Sequence, residues 1–145
     1  MPEQDDANLL AARCADAMWA EGGASQAMGM QIVSVREGCA VLSMTVRGNM
    51  VNGHGMGHGG MIFSLADSAF AFACNSQNFA AVASGASIEF LEPASAGDVL
   101  MARASIVNQG KKTGLYDVAV SNQNNRIIAQ FRGRSARIRG TVVPD

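Results

Sequence analysis

Residues 52–67, NGHGMGHGGMIFSLAD, hold both histidines of the chain and, in their first nine positions, five of its 16 glycines. An apolar run follows, and it carries one carboxylate, Asp67. Two kinds of chemistry are open to such a stretch. If the apolar run is helical, its N-terminus presents N–H groups without intrahelical acceptors at the positive end of the helix dipole, and glycine lets a ligand approach them closely. That suits an anion, or a carbonyl oxygen that becomes one during reaction. The second group is the acid. On a helix Ser64, Asp67 and Ser68 share one face. A carboxylate in an apolar helix is costly unless satisfied. Asp67 is therefore either a hydrogen-bonded structural or interface group, or a functional one.

Gly55-Met56-Gly57-His58-Gly59-Gly60 satisfies G-x-G-x-x-G. The dinucleotide-binding reading fails on context, because no acid stands roughly 20 positions on and no second strand-helix-strand unit follows. His54 and His58 lie in a glycine-rich loop with no third ligand nearby, so no metal site is expected; a histidine that positions the loop or hydrogen-bonds a ligand is the better account. Gly59 and Asp67 stand eight residues apart, about 12 Å along a helix axis. One reacting carbonyl cannot touch both on the same helix. If both act on one bond, the site combines two chains, and the functional unit is a homodimer with two identical sites.

The length of 145 residues predicts one domain over 1–145. The acidic start, MPEQDDANLL, lacks the regions of a signal peptide, and no apolar run reaches the roughly 18 residues that span a bilayer. No membrane partner is expected. Cys14, Cys39 and Cys74 are odd in number and widely spaced, without a CxxC pair, which predicts free thiols in a reducing cytoplasm. The net charge of −1 conceals an asymmetry: three arginines face ten acids before residue 100 (−7), and eight basic residues face Asp117 and Asp145 after it (+6). These are either two ordinary solvated faces or a basic end that holds a phosphorylated polyanion. Nucleic-acid binding is not expected at a pI near 6.1.

Positioning these groups requires a framework. From about Asp5 to Ala20, the residues Leu9, Leu10, Cys14, Ala17 and Met18 approach one stripe, which predicts an amphipathic N-terminal helix ended by Gly22-Gly23, with helix and linker together over 1–25. IVSVREGCAVLSMTV (32–46) predicts a hairpin about Glu37-Gly38. GMIFSLADSAFAFACNS (60–76) has no Pro or Gly after Gly60 and is apolar nearly all round, so a buried central helix is predicted over 58–76. Residues 80–91, 98–110, 115–122 and 126–138 read as strands. With no helix between them, they cannot be parallel crossover units. The predicted class is α+β, a mainly antiparallel sheet of about five strands packed on one central helix.

Asn52-Gly53-His54, His58-Gly59-Gly60 and Phe63-Ser64-Leu65-Ala66-Asp67 form an ordered set with AFACNS (71–76), AAVAS (80–84), IEFLEPASAGD (88–98), GKKTGLYD (110–117) and FRGRSARI (131–138). The set closely resembles the hotdog-fold acyl-coenzyme A thioesterases of phenylacetic acid degradation, from the first helix to about residue 140. The resemblance implies a sheet wrapped around one long helix, paired into homodimers and then a homotetramer. It implies hydrolysis of phenylacetyl-CoA, hydroxyphenylacetyl-CoA or related thioesters in the cytoplasm, with coenzyme A as part of the substrate and no further cofactor. By the same resemblance the Gly59 N–H, with Gly60 beside it, polarises the thioester carbonyl, and His58 and Asn52 orient that carbonyl or the attacking water. The partner's Asp67 then acts as general base or as nucleophile. Ser84, or else Ser87, assists from the strand after the helix, and Lys111, Lys112, Arg132 and Arg134 are candidates for the coenzyme A phosphates. Gly85 would widen the acyl pocket, and Met56, Phe63 and Phe79 would wall an aromatic ring. Two rivals share the frame. A hydratase or dehydratase would need His58 in an acid–base pair, and a non-catalytic acyl-CoA binder would have no need of a desolvated carboxylate.

Overall fold

Six antiparallel strands curl around a single long helix in the computed structural model, which describes residues 2–145. Residue 1, part of the expected segment 1–25, lies outside the described residues. The order is α1 (Pro2–Glu21), α2 (Gly23–Ala27), β1 (Gln31–Arg36), β2 (Cys39–Thr45), a 3-10 turn (Gly48–Met50), α3 (Gly59–Cys74), β3 (Ala81–Phe90), β4 (Val99–Gln109), β5 (Thr113–Ser121) and β6 (Ile127–Arg137). The sheet runs β1-β2-β4-β5-β6-β3. It has six strands rather than about five, because the 31–45 hairpin joins the main sheet through β2 pairing with β4.

Alternation explains the inner strands. β2 and β6 bury every second side chain, with Leu42 and Met44 from one, and Phe131 and Ser135 from the other, turned toward α3. The helix answers with Ile62, Leu65, Ala66, Ala69, Phe70 and Ala73. Phe70 anchors the contact, its ring 5.7 Å from that of Tyr116 and 5.8 Å from that of Phe131. It fits because Gly133 is bare beneath it: a Cβ there would stand 2.8 Å from the ring. Asn75 ends α3 two residues earlier than expected. Its Nδ2 donates to Ala71 O and Ala81 O while its Oδ1 accepts the Ala81 N–H, which ties the helix end to the start of β3.

Two expectations about the N-terminal segment need correction. The buried face of α1 is Ala11, Cys14 and Ala15, small residues that let it lie close, whereas Leu9 is 65% exposed. Gly22-Gly23 does end α1, but no linker follows. Gly23 opens α2, and Gln26 Nε2 donates to Trp19 O to fold it back against α1.

Candidate active site

The glycine-histidine loop is folded on itself by Asn52. Its Oδ1 accepts the N–H groups of His54 (2.9 Å) and Met56 (3.2 Å), and its own N–H donates to Met56 O (2.7 Å). Gly55 turns the loop at φ +76. Gly57 then donates to Ala94 O (2.7 Å), so close that a Cβ at Gly57 would meet Ala94 Cβ at 3.0 Å. The loop is thereby held against the segment after β3.

His58 is the N-cap of α3, and its Nδ1 accepts the Gly60 N–H at 2.9 Å. Gly60 must lack a side chain for this, because a Cβ would stand 3.0 Å from Nδ1. The capped imidazole therefore carries its proton on Nε2 when neutral. One helix-end donor remains: the Gly59 N–H has no acceptor among the described residues. Gly59 lines a cavity of about 400 Å³ together with Asn52, Met56, Ile62, Phe90 and Pro93.

Asp67 borders a different cavity, of about 230 Å³, with Ser25, Met28, Phe63, Ser64 and Ser68. Its carboxylate is half-buried and accepts no hydrogen bond among the described residues. Burial raises its pKa above the ordinary carboxylate value. The two neighbouring serines lie on the same face, as the spacing predicts. Ser64 Oγ donates to Gly60 O (2.8 Å), and Ser68 Oγ sits 3.4 Å from Ser25 Oγ. Burial pushes the nearby Cys74 thiol up to about 12, with a smaller contribution from the charge of Asp67. Gly59 and Asp67 share no cavity-lining residue.

The remaining candidates scatter. Ser84 and Ser87 are exposed on β3; Ser84 Oγ donates to Arg134 O and accepts from Arg134 Nε, both at 3.2 Å. Arg132 forks onto Asp117 at 2.6 and 2.9 Å, which occupies its bidentate face and holds the Asp117 carboxyl below its usual range. Arg132 and Arg134 alternate with buried Phe131, Gly133 and Ser135, so both stand on the sheet face turned away from α3. Lys111 and Lys112 lie exposed in the β4–β5 turn. Gly85 is exposed beside a bulge in β3, open to solvent. The three apolar-wall candidates do not meet. Met56 lines the Gly59 cavity and Phe63 the Asp67 cavity, while Phe79 lines a third cavity and is covered by Arg137 at 4.0 Å. His54 is exposed, and no group of three or more His, Cys, Asp or Glu among the described residues could hold a metal ion.

Several site elements escaped the sequence reading. Ser25 from α2 and Met28 just past its end wall the Asp67 cavity, in a segment that a glycine pair had disguised as a linker. Phe90, Leu91 and Pro93 wall the other; the Glu92-Pro93 stop signalled a turn but not its place against the helix end.

The chain is similar to proteins of known family and fold. The thioesterase superfamily model matches residues 54–129. The acyl-coenzyme A thioesterase PaaI of Escherichia coli K12 is 52% identical over 88% of this chain and 91% of its own. The solved structure of the E. coli PaaI protein from the phenylacetic acid degradation operon superposes with a TM-score of 0.91 at 51% identity, covering 92% of this chain and 97% of that one. A Streptococcus mutans UA159 protein solved bound to acetyl CoA gives a TM-score of 0.74 at 29% identity, covering 77% of this chain and 90% of that one. A six-stranded antiparallel sheet wrapped on a long helix is the hotdog fold, and the chain belongs to the thioesterase superfamily.

Proposed function

We propose that this protein hydrolyses acyl-coenzyme A thioesters, aryl-acetyl esters such as phenylacetyl-CoA and hydroxyphenylacetyl-CoA among them, to the free acid and coenzyme A. The observation that carries the reading is one helix bearing two unsatisfied groups in two open cavities, the Gly59 N–H at its end and the Asp67 carboxylate at its middle. A thioester carbonyl bound at Gly59 gains negative charge as it is attacked, where a backbone donor on a helix dipole stabilises it. Asp67 either takes a proton from the attacking water or attacks the carbonyl itself; in both cases its ionised form reacts. Collapse of the intermediate expels coenzyme A thiolate, which needs little acid assistance.

The two groups serve one bond only if they come from two chains, so the active unit is a homodimer, associated further as a tetramer. The edge strand β3 supports this. It runs ten residues, its residues 82–87 are exposed, and it ends in Phe90, which with the following Leu91 is more than half exposed. The E. coli relative's name and operon support the substrate class and a place in phenylacetic acid degradation. The acetyl CoA bound to the S. mutans relative supports coenzyme A as part of the substrate. Lys111, Lys112 and Arg134 remain the candidates for its phosphates, with Arg132 available only after release from Asp117.

His58 argues against hydration chemistry, because its Nδ1 lone pair is taken by Gly60, leaving Nε2–H as a donor. The test is thiol release from a panel of aryl-acetyl, benzoyl and straight-chain CoA esters. Turnover with free thiol is expected. A change in unsaturation of enoyl-CoA without thiol, or tight binding of every ester without turnover, would overturn the reading.

A further inference from the structure

The ring of Phe90 lies over the first residue of α3. A Cβ at Gly59 would stand 3.1 Å from Phe90 Cζ and 3.5 and 3.6 Å from the two adjoining ring carbons, so the ring packs on the bare Gly59 backbone. It is 52% exposed and forms one wall of the 400 Å³ cavity that Gly59 lines. Ile62, Leu91 and Pro93 add apolar surface to the lining, beside the polar Asn52 and Glu92. The backbone of Phe90 pairs with Ala129 of β6, and core packing does not account for a side chain left half exposed against the helix end. On the strand preceding it, Glu89 is exposed and Ile88 turns inward.

We propose that Phe90 sets the acyl specificity of the site, its ring limiting the bulk allowed on the carbon next to the thioester carbonyl. This rests on the reading of Gly59 as the carbonyl-binding donor. A carbonyl oxygen accepting from that N–H stands about 3 Å from the nitrogen. The carbonyl carbon and its first substituent then fall beside a ring already in contact with Gly59. A substituent that branches there meets the ring edge, while an unbranched chain passes it. An aryl-acetyl group, whose ring is one methylene removed from the carbonyl, also passes. Phe90 is thus a specificity-determining residue, and the bare Gly59 backbone is what lets it sit so near the reacting bond.

The experiment compares the native protein with Phe90→Leu and Phe90→Ala on butyryl-CoA and its α-branched isomer isobutyryl-CoA. Thiol release gives kcat/KM for each. Titration calorimetry on the same variants in an Asp67→Asn background gives Kd without turnover. Both variants should raise the isobutyryl-to-butyryl ratio on the order of tenfold, the scale on which one methylene is discriminated in an apolar pocket. Size-exclusion chromatography and thermal melts of each variant check that the assembly persists, and the ratio of the two esters is read on that assembly. A ratio within twofold of native in both measurements, or a uniform change for both esters, overturns the proposal, since a ring beside the pantetheine arm would act on all acyl groups alike. If the native protein hydrolyses no ester, the thioesterase reading falls by itself and the Kd ratio decides on Phe90.

Discussion

Two cavities border the same helix and are built on opposite principles. At the N-terminus of α3 the reactive feature is backbone: an N–H left free because His58 caps its neighbour and three glycines at 57, 59 and 60 keep side chains out of the way. At the middle of the helix it is a side chain, a carboxylate without a hydrogen-bond partner among the described residues and pushed toward its neutral form by burial. The first offers the positive potential of a helix end; the second offers a base and no electrophilic help. Each is half of a hydrolytic site, and a helix is too stiff to fold one onto the other.

The largest effect should come from the carboxylate. Asp67→Asn keeps the shape and removes the base, and a loss of roughly 10²–10⁴-fold in kcat is expected, the usual range for a positioned acid–base group. Because burial raises its pKa, native activity should fall on acidification at a higher pH than an ordinary aspartate would dictate. A pH–rate profile that stays flat from neutrality down to pH 4 would remove Asp67 from the chemistry.

The backbone half can be deleted just as cleanly. His58 sits at φ −63, ψ 132, a conformation favoured before proline, and Gly59 is the first helical residue, where proline is well tolerated. Gly59→Pro removes the one N–H, with Gly59→Ala as the control that adds a Cβ but keeps the donor. A further loss of about 10²–10³-fold relative to the alanine variant is expected. Mixing unfolded Gly59→Pro and Asp67→Asn chains and refolding them together then tests the division of labour. Mixed dimers each regain one intact site, so roughly a quarter of native activity should return. No recovery would mean that both groups serve a site within one chain.

The contrast between the halves also explains what the sequence disclosed. Backbone geometry leaves a clear trace when glycine is the only residue that fits, and the 57–60 stretch was legible for that reason. The carboxylate was legible because a charge in a helix apolar on nearly every side has few structural excuses. The strands were visible from their alternation and turns. What lay hidden were contacts between segments distant in sequence. Ser25 reaches Ser68 from a five-residue helix whose opening glycines read as a terminator, and Phe90 reaches Gly59 from the end of an exposed strand. The charge asymmetry pointed at Arg132 and Arg134 together, but strand alternation turns both away from α3, and Asp117 already holds the first. Pairing of that kind is set by register, which the β5–β6 alignment of Asp117 with Arg132 fixes.

The smallest effect should be one of stability, and its sign is opposite to that of activity. A carboxylate whose folded pKa is raised above its unfolded value near 3.9 binds its proton more tightly in the native state. Stability then falls as pH rises from the unfolded value through the folded one, and the ionised group is a net cost at neutral pH. Asp67→Asn removes that cost. Since the group is only half-buried, water screens much of it, and the gain in Tm at pH 7.5 should be a few degrees at most; 1 kcal/mol moves a domain of this length by roughly 2–4 °C. The difference should vanish below about pH 4, where both native and unfolded aspartate are protonated. Thermal melts of the two proteins across that range decide the matter. A variant less stable than native at pH 7.5 would mean that Asp67 is satisfied by the partner chain in the assembled protein. The carboxylate would then be structural, and the N-terminal cavity would have to supply the chemistry without it.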